Sequence, residues 1–262
     1  MKARYLYIVL GVGLVFSTAG CGKKEEVTEK AAETPAGPAA TPVDPATAAA
    51  VTGSVKLEGA APKGRRIRMD AEPACSSLHT SPVYDEQVVT GDNNSLVNVV
   101  VYVKEGLGNR TFASTTAPVV LDQKGCIYKP HVVAMQTSQT LEVMNSDPTT
   151  HNIHPVPAVN REWNKSQPPG GQKLTETFAR EEVAIPVKCN VHPWMKSYIA
   201  VFKHPYFQVT GKTGSFELKN LPPGEYTLEA WHEKLGAAQQ KVTLGPKETK
   251  TVEFVFKAQA GD

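Results

Sequence analysis

The residues most able to do chemistry lie in one short stretch, Cys189-Asn190-Val191-His192-Pro193-Trp194-Met195, which closes an apolar run from Val183 to Lys188. A thiol, an imidazole and a thioether fall within seven residues. Soft sulfur donors combined with imidazole suit copper, and two His, one Cys and a weak axial Met form the ligand set of copper electron-transfer centres. Met195 favours copper over zinc, because zinc sites are built from Cys, His and carboxylate. The stretch holds one histidine only. Upstream, Asn145-Ser-Asp-Pro-Thr-Thr-His151-Asn152-Ile-His154 offers two candidates for the second, His151 and His154.

Strands must position these groups, because helical periodicity is weak along the chain. Short β-branched runs bounded by Gly, Pro, Asn and Asp predict an all-β sandwich architecture. Leu141 to Asn145 leads toward His151, Val183 to Lys188 leads into the Cys189 loop, and Tyr198 to Phe202 leads out of it. Ile127 to Met135 and Thr175 to Phe178 read as further strands, and Leu96 to Val103 is a strong buried-strand signal. Gly53 to Gly59 alternates and ends at a turn. The polar, Pro- and Gly-rich region from Pro155 to Gly171 reads as a loop, with Trp163 packing it down.

Cys-x2-His-x2-Met closed by His-Pro-aromatic-Met resembles the ligand loop of the amicyanin-type cupredoxins. The upstream half agrees: an apolar strand ending in Asn145, followed by the pair His151-Asn152. The resemblance covers residues 126–203. It implies a cupredoxin-like Greek-key β-sandwich holding one type 1 copper, with His151, Cys189 and His192 as equatorial ligands and Met195 as the axial one. It selects His151 over His154, because His151 carries the His-Asn signature. It implies that Asn152 ties the two ligand loops together. It also implies that Pro193 and Trp194 surround an exposed edge of His192, giving an apolar patch for weak docking of a redox partner such as a cytochrome c or an oxidoreductase.

Beyond His204 the character changes. The run Gly214-Ser-Phe-Glu-Leu-Lys-Asn-Leu-Pro-Pro-Gly-Glu-Tyr-Thr-Leu228 is similar to carboxypeptidase-regulatory-like modules, which are small transthyretin-like β-sandwiches. Such modules begin with a Gly-x-Val strand, and Gly53-Ser-Val55 supplies one far upstream. The division expected along the chain is 51–203 for the cupredoxin-like domain with N-terminal strands and 204–258 for the second sandwich. A shared strand, with the cupredoxin inserted into or fused to that sandwich, is the accompanying hypothesis. In Trp231-His232-Glu233, Trp231 continues an alternating strand and reads as core. His232 and Glu233 could line a cleft or bind a partner, but nothing in the sequence requires either, and both are left out of the site.

Residues 1–20 read as a secretory signal: Lys2 and Arg4 precede an apolar stretch too short for a comfortable membrane span. Ser17-Thr-Ala-Gly-Cys21 resembles a bacterial lipobox, which implies lipidation of Cys21 and a protein anchored to the membrane, facing the periplasm. Residues 21–50 form an Ala/Thr/Pro tether without an aromatic residue or an apolar period, so it cannot offset its ordering entropy. In an oxidising compartment, Cys75 and Cys126 are expected as a disulfide. The alternative is a second metal site from Cys75, His79, Cys126 and His131. The formal charge of +2 over 262 residues drops toward zero once the signal is removed, and no basic stripe suggests nucleic acid. No Gly-x-Ser-x-Gly elbow, phosphate loop or His-Glu-x-x-His motif suggests an enzyme. The leading expectation is a one-electron carrier. The alternatives are a copper-binding or structural envelope lipoprotein whose metal never turns over and, ranked lower, a metal-free sandwich mediating envelope contacts.

Overall fold

The computed structural model describes residues 40–258; the signal stretch, Cys21 and the tether up to residue 39 lie outside the described residues. Among the described residues sixteen strands follow one another. The first two are β1 (Ala49–Glu58) and β2 (Val100–Glu105). Next come β3 (Val119–Gln123), β4 (Tyr128–Lys129), β5 (Val132–Gln136), β6 (Leu141–Asn145) and β7 (His151–Pro155). β8 (Lys165–Gln167), β9 (Leu174–Glu176), β10 (Glu182–Lys188), β11 (Lys196–Phe202) and β12 (Phe207–Val209) follow. β13 (Ser215–Leu221), β14 (Gly224–His232), β15 (Gly236–Leu244) and β16 (Thr249–Lys257) complete the series. A one-turn helix, α1 (Pro73–Ser76), lies in the long connection between β1 and β2.

Strands β3 to β11 build the sandwich that carries the candidate site. One sheet has the order β5-β11-β10-β7-β8 and the other β4-β3-β6-β9, with parallel pairs at β5–β11 and β3–β6. Period-2 alternation sends Leu121, Val143, Ile153, Ile185, Val187, Ile199 and Val201 into the shared core. The architecture is all-β, with two sheets facing each other across one core. Two expectations are corrected here. The run from Ile127 to Met135 is not one strand: Pro130, which has no N–H to give to a ladder, divides it into β4 and β5, and these join opposite sheets. The stretch from Pro155 to Gly171 is not all loop, since β8 pairs with β7 through His151↔Gln167. Trp163 does pack onto the core, with its ring 6.5 Å from Phe178.

The expected division at 203/204 does not follow the sheets. β1 lies between β13, antiparallel, and β16, parallel, while β2 lies between β12 and β14. The first two strands therefore belong with the last five, and residues 119–202 are inserted between them. Gly53 shows why β1 fits there: a Cβ at that position would sit 2.2 Å from the Val252 carbonyl and 2.5 Å from the Phe216 ring. The tether also ends earlier than expected, because Thr41 already donates its N–H to the Thr111 carbonyl at 2.8 Å and β1 starts at Ala49.

The two sandwiches are joined by a second apolar layer. On β2, Val101 and Val103 face their own sandwich, while Val100 and Tyr102 face outward onto Val132, Ala200 and Phe202 of the inserted one. Tyr102 and Phe202 lie 4.7 Å apart, and Tyr198 meets Trp231 at 5.5 Å. Trp231 thus packs between the sandwiches rather than inside one.

Candidate metal centre

The site forms at one end of the inserted sandwich, where β10 ends and β11 begins. Cys189 follows the last residue of β10 and Met195 precedes the first of β11, so the ligand loop is a tight connection between paired neighbours. Backbone bonds hold its shape: Met195 N donates to the His192 carbonyl at 2.9 Å, and Cys189 N donates to the Met195 carbonyl at 3.4 Å. The pairing Lys188↔His154 sets Cys189 beside the start of β7, where His151 and Asn152 stand.

His151 Nδ1 and His192 Nδ1 are 2.9 Å apart, and Cys189 Sγ is 3.8 Å from His192 Nδ1. The donor atoms of His151, Cys189 and His192 all fall within 4.8 Å of one another. The three side chains are buried, with exposures of 0%, 2% and 1% in that order. Met195 is fully buried in the same apolar cluster as Cys189. His154 is turned elsewhere, to Asn190 Oδ1 at 3.0 Å and Glu162 Oε1 at 2.6 Å.

Asn152 connects the two halves. Its Oδ1 accepts from Asn190 N at 2.6 Å and Val191 N at 3.3 Å, and its own N–H points at Cys189 Sγ at 3.5 Å. His192 N also points at that sulfur, at 3.4 Å. Burial acts to raise the Cys189 thiol, but its bonds with His151 and with these N–H groups outweigh burial and hold it below the ordinary thiol range.

A further residue, Asp147, orients His151. Its Oδ2 is 2.9 Å from His151 Nε2, and the carboxylate also accepts from Gly125 N at 2.6 Å and Cys126 N at 2.7 Å. Burial opposes its ionisation, yet the bonds from His151, Cys126 and Gly125 hold it below the usual carboxylate range. The same contact raises His151 against its burial. His192 moves the other way, lowered by burial and by the neighbouring His151 charge. A carboxylate on Nε2 fixes the tautomer that leaves Nδ1 free to ligate. The only signal for this role in the sequence is the spacing Asp147-x3-His151, which marks no motif.

The chemistry of the donor set fits a copper ion. Two imidazole nitrogens and a thiol whose ionisation is favoured point at one buried place, and a thioether side chain lies in the same cluster.

Cys75 and Cys126 form a disulfide, with an S–S distance of 2.00 Å. The alternative Cys/His set is not assembled: His79 Nε2 bonds the Gly125 carbonyl at 2.8 Å, and His131 pairs with Glu233 and faces Glu86. The disulfide changes one expectation. The edge of His192 is not exposed, because Cys75 Sγ lies 3.5 Å from His192 Nε2 and α1 covers the ring. Trp194 stands beside it at 5.1 Å and donates its Nε1–H to the Cys126 carbonyl at 3.0 Å. Val191, half exposed, and Pro193 form the accessible apolar edge of the loop.

A cleft of about 910 Å³ runs beside Trp194, between the connection that carries α1 and the join of the sandwiches; Arg65, Arg68, Tyr84, His131 and Glu233 help line it. Glu233 therefore does line a cleft. His232 does not: it is buried, its Nδ1 accepts from Lys234 N and Leu235 N at 3.2 Å each, and burial lowers it to about 4.

No protein-family model and no curated protein matches the chain. Among solved structures, the chain is similar to a copper-containing nitrite reductase from Thermus scotoductus SA-01, at 22% identity and a TM-score of 0.29, over 37% of this chain and 24% of that one. It thus spans about a quarter of the reductase's length. It is also similar to a copper(I) form of an amicyanin variant, at 19% identity and a TM-score of 0.29, over 38% of this chain and 97% of that one. A second amicyanin variant, reduced and at pH 4, gives 20% identity and a TM-score of 0.30 over the same shares.

Proposed function

We propose that the protein is a one-electron carrier built on one type 1 copper ion, which His151 Nδ1, His192 Nδ1, Cys189 Sγ and Met195 would hold. The observation that carries this reading is the convergence of those three donor atoms within 4.8 Å in a buried pocket. Copper bound to such a set supplies fast one-electron exchange with little change of geometry. The chain's part is to hold the donors in place. Asp147 orients His151, Asn152 couples the two ligand loops, and N–H groups aimed at Cys189 stabilise its thiolate. The core around Met195 and Ile153 keeps water away. Electrons would enter or leave over Val191, Pro193 and Trp194, the accessible edge of the loop, against a redox protein that docks weakly. Lipidation at Cys21 would hold the carrier at the membrane on the periplasmic side.

One observation favours a second reading, a copper-holding envelope protein without turnover: the burial of His192 beneath the disulfide. The test of the leading reading is the visible spectrum with one equivalent of copper(II). A strong band near about 600 nm that is lost in Cys189→Ser reports thiolate-to-copper charge transfer. A colourless copper-loaded protein would overturn the reading. If the band is present, reversible voltammetry separates carrier from holder, since only a carrier exchanges electrons rapidly in both directions.

A further inference from the structure

The cap over His192 is made of sulfur. Cys75 Sγ is 3.5 Å from His192 Nε2, the ring nitrogen that does not face His151. The Sγ atoms of Cys75 and Cys126 and a ring nitrogen of His192 lie within 4.8 Å of one another, and all three residues are buried. We propose that reduction of the Cys75–Cys126 disulfide turns this cap into a second metal site, in which Cys75 Sγ, Cys126 Sγ and His192 Nε2 hold one copper(I) ion. The inference does not require the electron-carrier reading: while Nδ1 of His192 carries no copper it can hold the ring proton, which leaves the Nε2 lone pair for the second site.

Three features support the site. Thiolates are soft donors that select copper(I), and two of them with one imidazole suit the low coordination number that this ion accepts. Neither cysteine is held in place by the S–S bond alone. Cys75 sits in α1 with its N–H on the Glu72 carbonyl at 2.9 Å, and that connection is pinned where Ile67 N meets the Val83 carbonyl at 2.8 Å. Cys126 is fixed by its N–H on Asp147 Oδ2 at 2.7 Å and by its carbonyl, which accepts from Trp194 at 3.0 Å. The three ligands would therefore stay convergent after the bond opens. The site is buried, with Met69 and Tyr128 in the same apolar cluster, and the Asp147 carboxylate and His151 lie on the far side of Cys126.

The chemistry balances with a phosphine as reductant. The disulfide accepts two electrons from phosphorus, and water supplies two protons to the sulfurs and an oxygen to the phosphine. Each thiol then releases its proton as a copper–sulfur bond forms, and copper(I) keeps its oxidation state throughout.

The experiment uses the full-length protein carrying Cys189→Ser, which removes the first site's thiolate. Samples with the disulfide intact or reduced by phosphine are freed of reagent under anaerobic conditions. Copper(I) is then offered from its bathocuproine disulfonate complex, and the metal retained per chain is measured. The expected result is about one equivalent on the reduced protein and under about a tenth on the oxidised one. Retention should vanish when Cys75→Ser and Cys126→Ser are added, a change that leaves Cys21 in every sample. Blocking the reduced thiols with iodoacetamide should abolish retention without any change of sequence, which covers the case in which the triple variant folds poorly. Equal retention by oxidised and reduced protein, or retention that survives loss of both cysteines, would overturn the proposal. A missing band near about 600 nm in the wild-type protein would sink the carrier reading and leave this result standing.

Discussion

Asp147→Asn is the sharpest perturbation of the site that leaves every proposed ligand in place. The carboxylate accepts three N–H groups: Gly125 N on Oδ1, and Cys126 N with His151 Nε2 on Oδ2. An asparagine has one oxygen and one amide nitrogen, and the nitrogen cannot accept. If the oxygen keeps the Oδ2 position, His151 and Cys126 remain satisfied, and Gly125 N faces a second donor. If it takes the Oδ1 position, two donors are orphaned, one of them on a ligand. The first arrangement costs less. A hydrogen bond to a charged group contributes about 1.5–3 kcal/mol and the surviving ones weaken with loss of charge, so about 2 kcal/mol of apo-protein stability should go. For a body of this size that is a fall of roughly 4–8 °C in Tm. Copper affinity should fall roughly 10- to 100-fold, because a weaker acceptor on Nε2 makes His151 Nδ1 a poorer, less fixed ligand. Differential scanning calorimetry of the apo-protein and chelator competition for copper read the two effects. A variant with both quantities unchanged, within about twofold in affinity, would refute the claim that Asp147 positions His151.

Further outcomes follow from the same structure. Asn152→Ala removes the acceptor for Asn190 N and Val191 N, and should lower stability by about 2 kcal/mol and shift the visible band of the copper protein; an unchanged melt and spectrum would show that the loops hold without it. Trp231→Ala, which empties the layer against Tyr198, should cost about 3 kcal/mol and split a single calorimetric transition into two as the sandwiches uncouple. A single transition at the wild-type temperature would contradict the joint described. Acid should also destabilise the fold through His204 and His232. Burial lowers each to about 4, and Nδ1 of each accepts backbone N–H groups. The unfolded chain titrates near 6.5, so below that pH it binds the extra protons first. Stability should therefore be intact above about 6.5 and be lost as pH falls to about 4, by about 3 kcal/mol for each histidine. Urea melts of His232→Gln across that window should show a shallower loss, and an unchanged slope would rule His232 out.

The ligand loop was legible in the sequence because it is local. A seven-residue connection between adjacent antiparallel strands must bring Cys189, His192 and Met195 close together whatever surrounds them. His151-Asn152 was legible for a related reason, since the pair follows an apolar strand and a short polar turn, although the turn carries the chain from one sheet to the other. Alternation placed most core residues, as period 2 is written into each strand separately. Tertiary structure decided the rest. Backbone ladders carry no record of their partner, so nothing between Gly53 and Val55 states that β1 pairs with strands some 160 and 200 residues later. Asp147 became a positioning group only once a strand end brought it under His151. The cover on His192 needed a connection distant in sequence to fold across the loop and place Cys75 against it. Residue types and short spacings thus named the donors, while long-range pairing decided which imidazole edge faces its partner ligand and which faces sulfur.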